Sequence, residues 1–421
     1  MKKMQWKIMV AIGLVASVTF MQSCDEDEPA ELALVSLTAG TIDLNGATTP
    51  NNVPIGAEIT ATFSTDVNPA TADANITLLR DYDDANVDLD ITVNGNVVTI
   101  KPSAVFGTGT LYALSFGAGL ASTQGKTLTA TSRSFTTEGT FAVSGAVAHW
   151  TFEDNANDVI GSFDPPASGI VGISYGASHN ANAGKAAEFN GTTSIIEIPN
   201  GDQLMNTNNF TLSFWVKAMP HTDNANKGHF VMGLGAFFGF QFEIFDGYNG
   251  FKMPVGYRFN KNGTEGWAAE DNAFNGDGKN KDNGGWQGFV FTKDLTTSGG
   301  VSELIKGKWA HIVYSYNAST KQGLYYVNGQ KMREFDFDLW PAGDNKTFVT
   351  GLKYNGTAPE VVNELAFGFV QSRAGTLWDN EPWGGYAQAS AKHFKGSLDD
   401  VIIYNKVLTE AEIQLMYNSG K

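Results

Sequence analysis

Short runs in which apolar and polar residues alternate, separated by turns rich in Gly, Asn and Asp, extend over almost the whole chain. In GAEITATFSTDV, for example, Ile59, Ala61 and Phe63 would lie on one face of a strand, and Thr60 and Thr62 on the other. A helical pattern occurs only near the end of the chain. In a helix, apolar residues at every second position would not fall on one face, whereas in a strand they do. The sequence therefore predicts an all-β fold with a short C-terminal helix.

Length and charge narrow the class of protein. The 421 residues are enough for two or three domains, and 12% aromatic with only 17% charged residues is typical of secreted β proteins with long loops. The formal net charge is −16, and it becomes −19 if a leader that carries Lys2, Lys3 and Lys7 is removed. Such an acidic protein repels phosphate backbones, which argues against a nucleic-acid partner.

The first 24 residues, MKKMQWKIMVAIGLVASVTFMQSC, have a basic start, an apolar stretch too short to span a bilayer, and the only cysteine, Cys24. A single cysteine cannot form an intramolecular disulfide. The segment resembles a lipoprotein signal peptide of Bacteroidetes, which implies that Cys24 becomes the lipidated first residue. Met21 and Gln22 depart from the strict motif, and an ordinary signal peptide with an incidental cysteine is the alternative.

An acidic linker, residues 25–31, follows and begins with DEDEP. It resembles the acidic export tag of Bacteroidetes surface lipoproteins, and that resemblance implies an outer-membrane protein that faces the medium. As plain physical chemistry, the stretch is a solvated acidic spacer.

Residues 32–139 contain strands at the spacing of a β-sandwich of about a hundred residues, with a hairpin predicted at Asn94-Gly95. The motifs VPIGAEITATFSTDVNPAT and VNGNVVTIKPSAVFGTGTLYALSFGAGLASTQGKTL, followed by RSFTTEG, resemble the bacterial Ig-like domain family. That resemblance implies a spacer domain.

Residues 140–421 contain a second series of strands. We predict a hairpin turning at Asn190-Gly191 and a long hairpin whose second arm ends at Asn328-Gly329. Thr409 and Glu412 form a capping box at the start of the C-terminal helix, whose apolar face would close over a sandwich.

The second segment carries AHWTFEDNANDVIG, GKAAEFNGTTSIIEIP, NFTLSFWVKA, GKWAHIVYSYNASTKQGLYYVNGQKM and FKGSLDDVIIYNKVLTEAEI in this order. These motifs resemble the concanavalin A-like jelly rolls of the laminin G type. The sequence departs from that family by a long insertion, residues 219–303, whose stretch 262–291 is so rich in Gly, Asn and Asp that we predict a loop.

Carboxylates and amides cluster directly after the first strand of this segment and at the start of its last strand. Calcium prefers six to eight oxygen ligands of this kind, and in laminin G-like jelly rolls the two strands lie together near a calcium ion. The resemblance therefore nominates a structural calcium site; the alternative is that these residues only form turns. The nominated ligands are Glu153, Asp154, Asn157, Asp158, Asp399 and Asp400.

Tryptophans flanked by glycines occur twice in predicted loops, in EGWAAEDNAFNGDGKNKDNGGWQG and in QSRAGTLWDNEPWGGYAQ. A flat ring beside amides and carboxylates suits a neutral polyol, because stacking supplies contact area and the polar groups fix orientation. The alternative is that the rings hold the loops on the sandwich. The predicted carbohydrate-binding residues are Trp267, Trp286, Trp378, Trp383, Tyr386, Arg373, Asp379 and Asn380.

No catalytic signature is found. Laminarinase-type jelly rolls carry Glu-x-Asp-x-x-Glu, and the nearest stretch, FEIFDGY, places Glu243 and Asp246 at a spacing that would turn them to opposite faces. We therefore expect no enzyme activity. The hypothesis is a lipid-anchored surface protein that binds polysaccharide next to glycan-uptake proteins; the alternatives are a protein-binding adhesion module and, third, a hydrolase or lyase.

Overall fold

The computed structural model describes residues 30–46, 48–181 and 183–421. The predicted leader with Cys24, and residues 25–29 of the acidic linker, lie outside this range. Nearly all regular structure in the described residues is β, every strand pair is antiparallel, and a helix ends the chain, so the predicted all-β class is confirmed. Within the described residues, no helix is long and apolar enough to cross a bilayer.

The first nine strands form two facing sheets. A five-stranded sheet has the order β2-β1-β3-β7-β6, and a four-stranded sheet has the order β5-β4-β8-β9. Buried side chains of both sheets meet in one apolar cluster that includes Leu37, Ile59, Leu114 and Phe135. The strands are β1 (Leu34–Ala39), β2 (Ile42–Asp43), β3 (Ile59–Phe63), β4 (Ile76–Arg80), β5 (Ala85–Asn86), β6 (Leu89–Asn94), β7 (Val97–Pro102), β8 (Leu111–Phe116) and β9 (Thr131–Thr136).

The remaining strands build a larger structure. A nine-stranded sheet has the order β12-β13-β28-β15-β23-β24-β25-β22, with β10 also paired to β28; a seven-stranded sheet has the order β11-β14-β27-β16-β17-β18-β21; a small sheet has the order β20-β19-β26. Their bounds are β10 (Ala148–Trp150), β11 (Ile170–Val171), β12 (Ser174–Ala177), β13 (Lys185–Asn190), β14 (Ile195–Ile198), β15 (Asn209–Ala218), β16 (His229–Gly233), β17 (Gln241–Ile244), β18 (Phe251–Lys252), β19 (Val255–Lys261), β20 (Thr264–Glu270), β21 (Ala273–Phe274), β22 (Phe289–Thr292), β23 (Trp309–Asn317), β24 (Gln322–Val327), β25 (Gln330–Asp336), β26 (Val349–Leu352), β27 (Leu365–Phe367) and β28 (Lys395–Tyr404).

Helices are few and short. The α-helices are α1 (Ser302–Ile305) and α2 (Glu410–Gly420), and the 3₁₀-helices span Pro69–Thr71, Ala167–Gly169, Gly201–Leu204, Ala236–Phe238, Asp246–Tyr248, Phe337–Leu339 and Asn345–Phe348. The predicted capping box of α2 is present: the Glu412 N–H donates to the Thr409 hydroxyl, and the Thr409 N–H donates to the Glu412 carboxylate. Its buried Ile413 and Met416 pack in a second apolar cluster with Tyr404 of β28.

The segment between the two groups of sheets is packed against both. Phe141 and Val143 are buried in the cluster that α2 covers. The Tyr404 hydroxyl donates to the Val143 carbonyl at 2.9 Å, and the ring of Tyr82 meets that of Phe141 edge to face at 5.1 Å. Burial of this kind fixes the junction rather than leaving it as a solvated linker.

The predicted hairpin at Asn190-Gly191 is wrong. Strand β13 pairs with β12 and β28, whereas β14 pairs with β11 and β27 of the other sheet. The Asn190 side-chain oxygen accepts the N–H groups of residues 192–194, which turns the chain across the sandwich. An Asn-Gly dipeptide predicts a turn, but it does not predict which sheet the next strand joins.

The predicted loop at residues 262–291 is wrong in part. Thr264–Glu270 pairs with Val255–Lys261 as a hairpin, and its turn residues Asn262 and Gly263 have φ values of 54° and 83°. Such a left-handed turn favours Asn-Gly and matches the twist of the two strands. Phe274 then returns to the core next to Phe251, so the insertion is part of the sandwich.

Two stacked histidines next to the seven-stranded sheet predict acid sensitivity. Burial lowers the pKa of His229 to about 3 and that of His221 to about 4. The Lys395 N–H donates to Nδ1 of His229, which leaves Nε2 as the donor to the Tyr248 hydroxyl at 2.6 Å. Both histidines are therefore neutral in the folded protein at neutral pH.

We expect the free energy of unfolding to fall as the pH decreases from about 6.5, because the unfolded chain then binds protons that the folded histidines do not. Each histidine contributes at most about 1.4 kcal/mol per pH unit, down to its folded pKa. Urea unfolding at pH 7, 6 and 5 measures the slope, and His229→Gln should reduce it. Equal slopes for the variant and the natural protein would contradict this account.

Candidate functional site

The outer face of the seven-stranded sheet carries polar side chains directly behind the core. In β17, Phe242 and Ile244 point into the core, so alternation turns Gln241 and Glu243 outward. The Gln241 side-chain N–H donates to the Glu243 carboxylate at 3.0 Å. Both residues are at most 9% exposed, and both line a cavity of about 310 Å³. A carboxylate and an amide therefore form the polar wall of a recess on this face.

Aromatic rings form the other walls of this recess, which we call the Trp383 cavity. Trp378 and Trp383 lie 5.2 Å apart, and Trp383 meets Phe230 edge to face at 5.9 Å. Phe237 meets Trp378 at 6.1 Å. Trp383 is 36% exposed, whereas Trp378 is half-buried. The cavity thus combines exposed aromatic area with buried polar groups.

Two lysines pair with the carboxylates in and beside the cavity. Nζ of Lys252 lies 3.7 Å from the Glu243 carboxylate and 3.3 Å from that of Asp271. Nζ of Lys392 lies 3.6 Å from Glu243 and 3.1 Å from Asp246. Burial raises the pKa of Glu243, and the two lysines oppose that shift. Glu243 is held in place by charges on both sides, in a site where water is partly excluded.

Trp267 lies behind the cavity rather than in it. Its ring stacks on Phe238 at 5.7 Å with an interplanar angle of 10°, and Phe237 connects this pair to Trp378. The indole N–H of Trp267 is buried without a hydrogen-bond partner in the part of the chain that the structure describes. This arrangement supports the aromatic wall from the rear.

The other residues predicted beside Trp378 have different surroundings. The Arg373 guanidinium pairs with Glu197 at 2.5 Å and also donates to the Ser168 carbonyl. The Tyr386 hydroxyl donates to the Thr193 carbonyl at 2.5 Å. Both side chains therefore have protein partners, while Asp379 and Asn380 are exposed in the turn after Trp378.

Trp286 lines a second cavity of about 300 Å³, which we call the Trp286 cavity. Its ring is 43% exposed and meets Trp340 edge to face at 5.8 Å. Phe289 lies in the same cavity, with the buried Arg333 guanidinium 3.9 Å above its ring centre. The structure thus places Trp378 and Trp383 together, Trp267 behind them, and Trp286 in a separate recess.

Sequence reasoning missed most of the polar residues of the Trp383 cavity. From the sequence, Glu243 is named only for its spacing from Asp246, and Gln241, Lys252, Asp271 and Lys392 are not named. The alternation of QFEI was the available signal for the outward pair in β17. The lysines gave none, because only the pairing of distant strands brings them to Glu243.

Three of the six nominated calcium ligands lie near one another. Glu153 and Asp400 line a third cavity of about 450 Å³, and repulsion from Asp400 and Glu153 contributes to the raised pKa of Asp399. Burial is the larger cause of that shift, since Asp399 is fully buried. The Ser178 hydroxyl and the Asp400 N–H donate to Asp399. Asp399 and Asp400 lie in the middle of β28 rather than at the start of this strand, and Glu153 follows β10.

The other three nominated ligands have local partners or lie in solvent. The Asp158 carboxylate accepts the N–H groups of His149, Ile160 and Phe163, as a turn former does. The Asp154 carboxylate lies 2.5 Å from Nζ of Lys185. Asn157 is exposed. Calcium binding at any of the six stays a prediction.

Comparison with known proteins identifies one part of the chain. Residues 39–137 match the model of the bacterial Ig-like domain family. The Ig-like domain predicted from the sequence is therefore present. A search of the curated proteins finds no match.

Several solved structures have a distantly similar fold. They include the binding domain of Paraclostridial Mosquitocidal Protein 1 (15% identity, 65% of this chain and 52% of that chain, TM-score 0.40), the botulinum neurotoxin serotype D ligand binding domain in complex with N-acetylneuraminic acid (10%, 65% and 50%, 0.39), and Domain 4 of AbnA, a GH43 extracellular arabinanase from Geobacillus stearothermophilus, in complex with arabinotriose (19%, 65% and 98%, 0.35). The chain spans about half the length of the two toxin domains.

The Ig-like domain also contributes to the third cavity. Ile55 and Thr108 of the Ig-like domain line it, together with Glu153 and Asp400 of the second group of sheets. Glu153 and Asp400 thus face a recess shared by both parts of the molecule.

Proposed function

We propose that this chain is a lipid-anchored protein of the bacterial outer membrane, exposed at the cell surface, that binds polysaccharide in the Trp383 cavity. The observation that carries the binding proposal is the placement of Trp378 and Trp383 beside the buried Glu243 and Gln241. A sugar ring has apolar C–H faces and a rim of hydroxyl groups. Stacking on an indole and hydrogen bonds to a fixed carboxylate and amide recognise those two features.

Residues 32–139 would be the spacer, residues 140–421 the binding part, with a laminin G-type jelly roll as its architecture, and Cys24 the lipid attachment point. Two separate apolar clusters, one on each side of residue 140, support this division. The exposed position would place the binding face near glycan-uptake proteins of the same membrane.

Affinity electrophoresis tests the binding proposal directly. The mature protein is run in calcium-containing gels with neutral plant and host polysaccharides, and at least one of them should retard it. Soluble oligosaccharide of that glycan should also change tryptophan fluorescence, because Trp383 is exposed. Unretarded migration throughout the panel and silent fluorescence would contradict the proposal and favour the protein-binding adhesion module.

A hydrolase is the second candidate. Glu243 is a buried carboxyl with a raised pKa, and Asp271 supplies a second carboxylate in contact with the same lysine, Lys252. Two carboxyl groups with different environments are what glycoside hydrolysis requires. Release of new reducing ends from the bound polysaccharide, lost in Glu243→Gln, would establish this activity; binding without release supports a binding protein.

Glu153 and the adjacent carboxylates of β28, Asp399 and Asp400, suit a structural calcium ion. Oδ2 of Asp400 is buried and has no hydrogen-bond partner among the described residues. Glu153, Asp399 and Asp400 supply oxygen atoms, the donors that calcium prefers. The neighbouring His179 offers nitrogen, which calcium does not prefer, and Nδ1 of His179 is within 2.9 Å of the Ser178 hydroxyl. Glu153, Asp399 and Asp400 would hold the ion.

Chelation is therefore expected to lower the melting temperature. An ion that binds only the folded state stabilises it by about 2.7 kcal/mol at a hundred times its Kd, and each kcal/mol corresponds to roughly 2–4 °C in a domain of this size. Calorimetry in excess calcium and in EGTA measures the difference. Asp400→Asn should abolish it, whereas Asp379→Asn, an exposed carboxylate elsewhere, should preserve it. Identical melting in both buffers would mean that these residues only form turns.

A further inference from the structure

The Trp383 cavity and the Trp286 cavity are neighbours on the seven-stranded sheet. Glu243 of β17 lines the first cavity, and Phe245, which follows β17 in an extended conformation, lines the second. Residues two apart in an extended chain lie on the same face about 7 Å from each other. Asp271 also lines the first cavity, and Ala273, the first residue of β21, lines the second. The end of β17 therefore leads from one cavity into the next.

Strand register places both cavities on one face of the sheet. Glu243 lies opposite Lys252, and Lys252 lies opposite Ala273, so these three residues form an outward row. The adjacent row, Ile244, Phe251 and Phe274, is buried in the core. Since the side chains of one row leave the same side of a sheet, the two recesses open on the same surface.

Each cavity presents one exposed indole. Trp383 and Trp286 are the only tryptophans of the described residues that expose more than about a third of their surface. Exposed aromatic area is unfavourable in water and is a usual mark of a contact surface. Trp286 is held by Trp340, and its cavity has a polar rim that includes Asn275 and Lys279. It has the same components as the first cavity.

We propose that the two cavities form one extended cleft, and that the ligand is an internal stretch of a polysaccharide chain rather than a chain end or a single sugar. This inference rests on the proposed glycan-binding function. The cavities are displaced by two residues along the strands and by up to two strands across them, on the order of 10 Å. One sugar ring cannot fill both cavities over that distance, whereas successive units of one chain can.

An oligosaccharide ladder tests the inference. The polysaccharide that retards the protein in affinity electrophoresis is hydrolysed to a series of defined lengths, and calorimetric titration gives the Kd of each. Affinity should rise with length until the chain spans both cavities. Trp286→Ala should weaken long chains about tenfold, the effect of losing one stacked aromatic anchor. It should leave the shortest oligosaccharide that binds unchanged, whereas Trp383→Ala should weaken every length.

Matched variants separate the outcomes. Leu415→Ala, which truncates a similarly exposed side chain on α2, should bind every length normally. Trp286→Phe keeps an aromatic ring and should retain most of the affinity, and an unchanged melting temperature shows that each variant folds.

Two results would overturn the extended cleft while leaving the proposed function intact. In the first, Trp286→Ala binds long chains with the same Kd as the natural protein. In the second, Trp286→Ala loses the same factor of affinity at every oligosaccharide length. Failure of the whole polysaccharide panel to retard the natural protein would instead remove the proposed function, and this inference with it.

Discussion

Replacing both Trp378 and Trp383 with alanine is expected to lower the affinity for polysaccharide by about a hundredfold or more. Each truncation of a stacking aromatic anchor costs over 1.4 kcal/mol when the ring is at the centre of a site, and 1.4 kcal/mol is a factor of ten. The two rings lie 5.2 Å apart and form an aromatic wall of the cavity. Without the two rings, Glu243 and Gln241 remain, but the stacking surface that would orient a sugar beside them is gone.

The measurement is the Kd of the polysaccharide that retards the natural protein. Leu415→Ala is the matched control, because it removes a large side chain of comparable exposure from α2, which does not line the cavity. Truncation could also loosen the turn that follows Trp378, so the melting temperature of the double variant is measured alongside. A stable double variant that binds as tightly as the natural protein would refute the assignment of the site.

Replacing Cys24 with alanine is expected to move almost all of the protein from the membrane fraction to the soluble fraction. An acyl chain contributes about 0.8 kcal/mol per buried CH₂ group, and two or more chains give stable membrane anchoring. The predicted leader offers no other thiol, since Cys24 is the only cysteine of the 421 residues. Removing it removes every site at which that lipid can be attached.

Fractionation is combined with metabolic labelling by radioactive palmitate. Ser23→Ala is the control, because it changes the neighbouring residue and keeps the thiol. The control should carry label and remain with membranes, while Cys24→Ala should do neither. Label or membrane retention in Cys24→Ala would contradict lipidation at this position.

Local patterns predicted the elements of the fold well, because their causes are local. The alternation in Asn209–Ala218 reflects a strand whose apolar row packs in the core of the sandwich, and Thr409 with Glu412 caps a helix through contacts three residues apart. The Asn328-Gly329 turn also formed where expected, and the hairpin predicted at Asn94-Gly95 formed with its two turn residues one position later, at Gly95 and Asn96, since both conformations depend on two or three residues. No information from distant parts of the chain was needed.

The candidate site could be predicted only in part, because its members come from separate strands. Trp378 and Trp383 were visible as ring-and-glycine patterns. Glu243 and Lys392 are far apart in sequence, and the pairing of β16, β17 and β27 brings their surroundings together. The wrong hairpin at Asn190 has the same origin: a turn signal does not encode the partner of the next strand.

The buried junction around Phe141 and Val143 has a mechanical consequence. If polysaccharide is held at the Trp383 cavity as proposed, a pull on it reaches the Ig-like domain through this apolar contact and the Tyr404 hydrogen bond. The two parts of the molecule would then turn together about the N-terminal attachment rather than independently. The Ig-like domain would in this way set the direction from which a long polymer reaches the cavity.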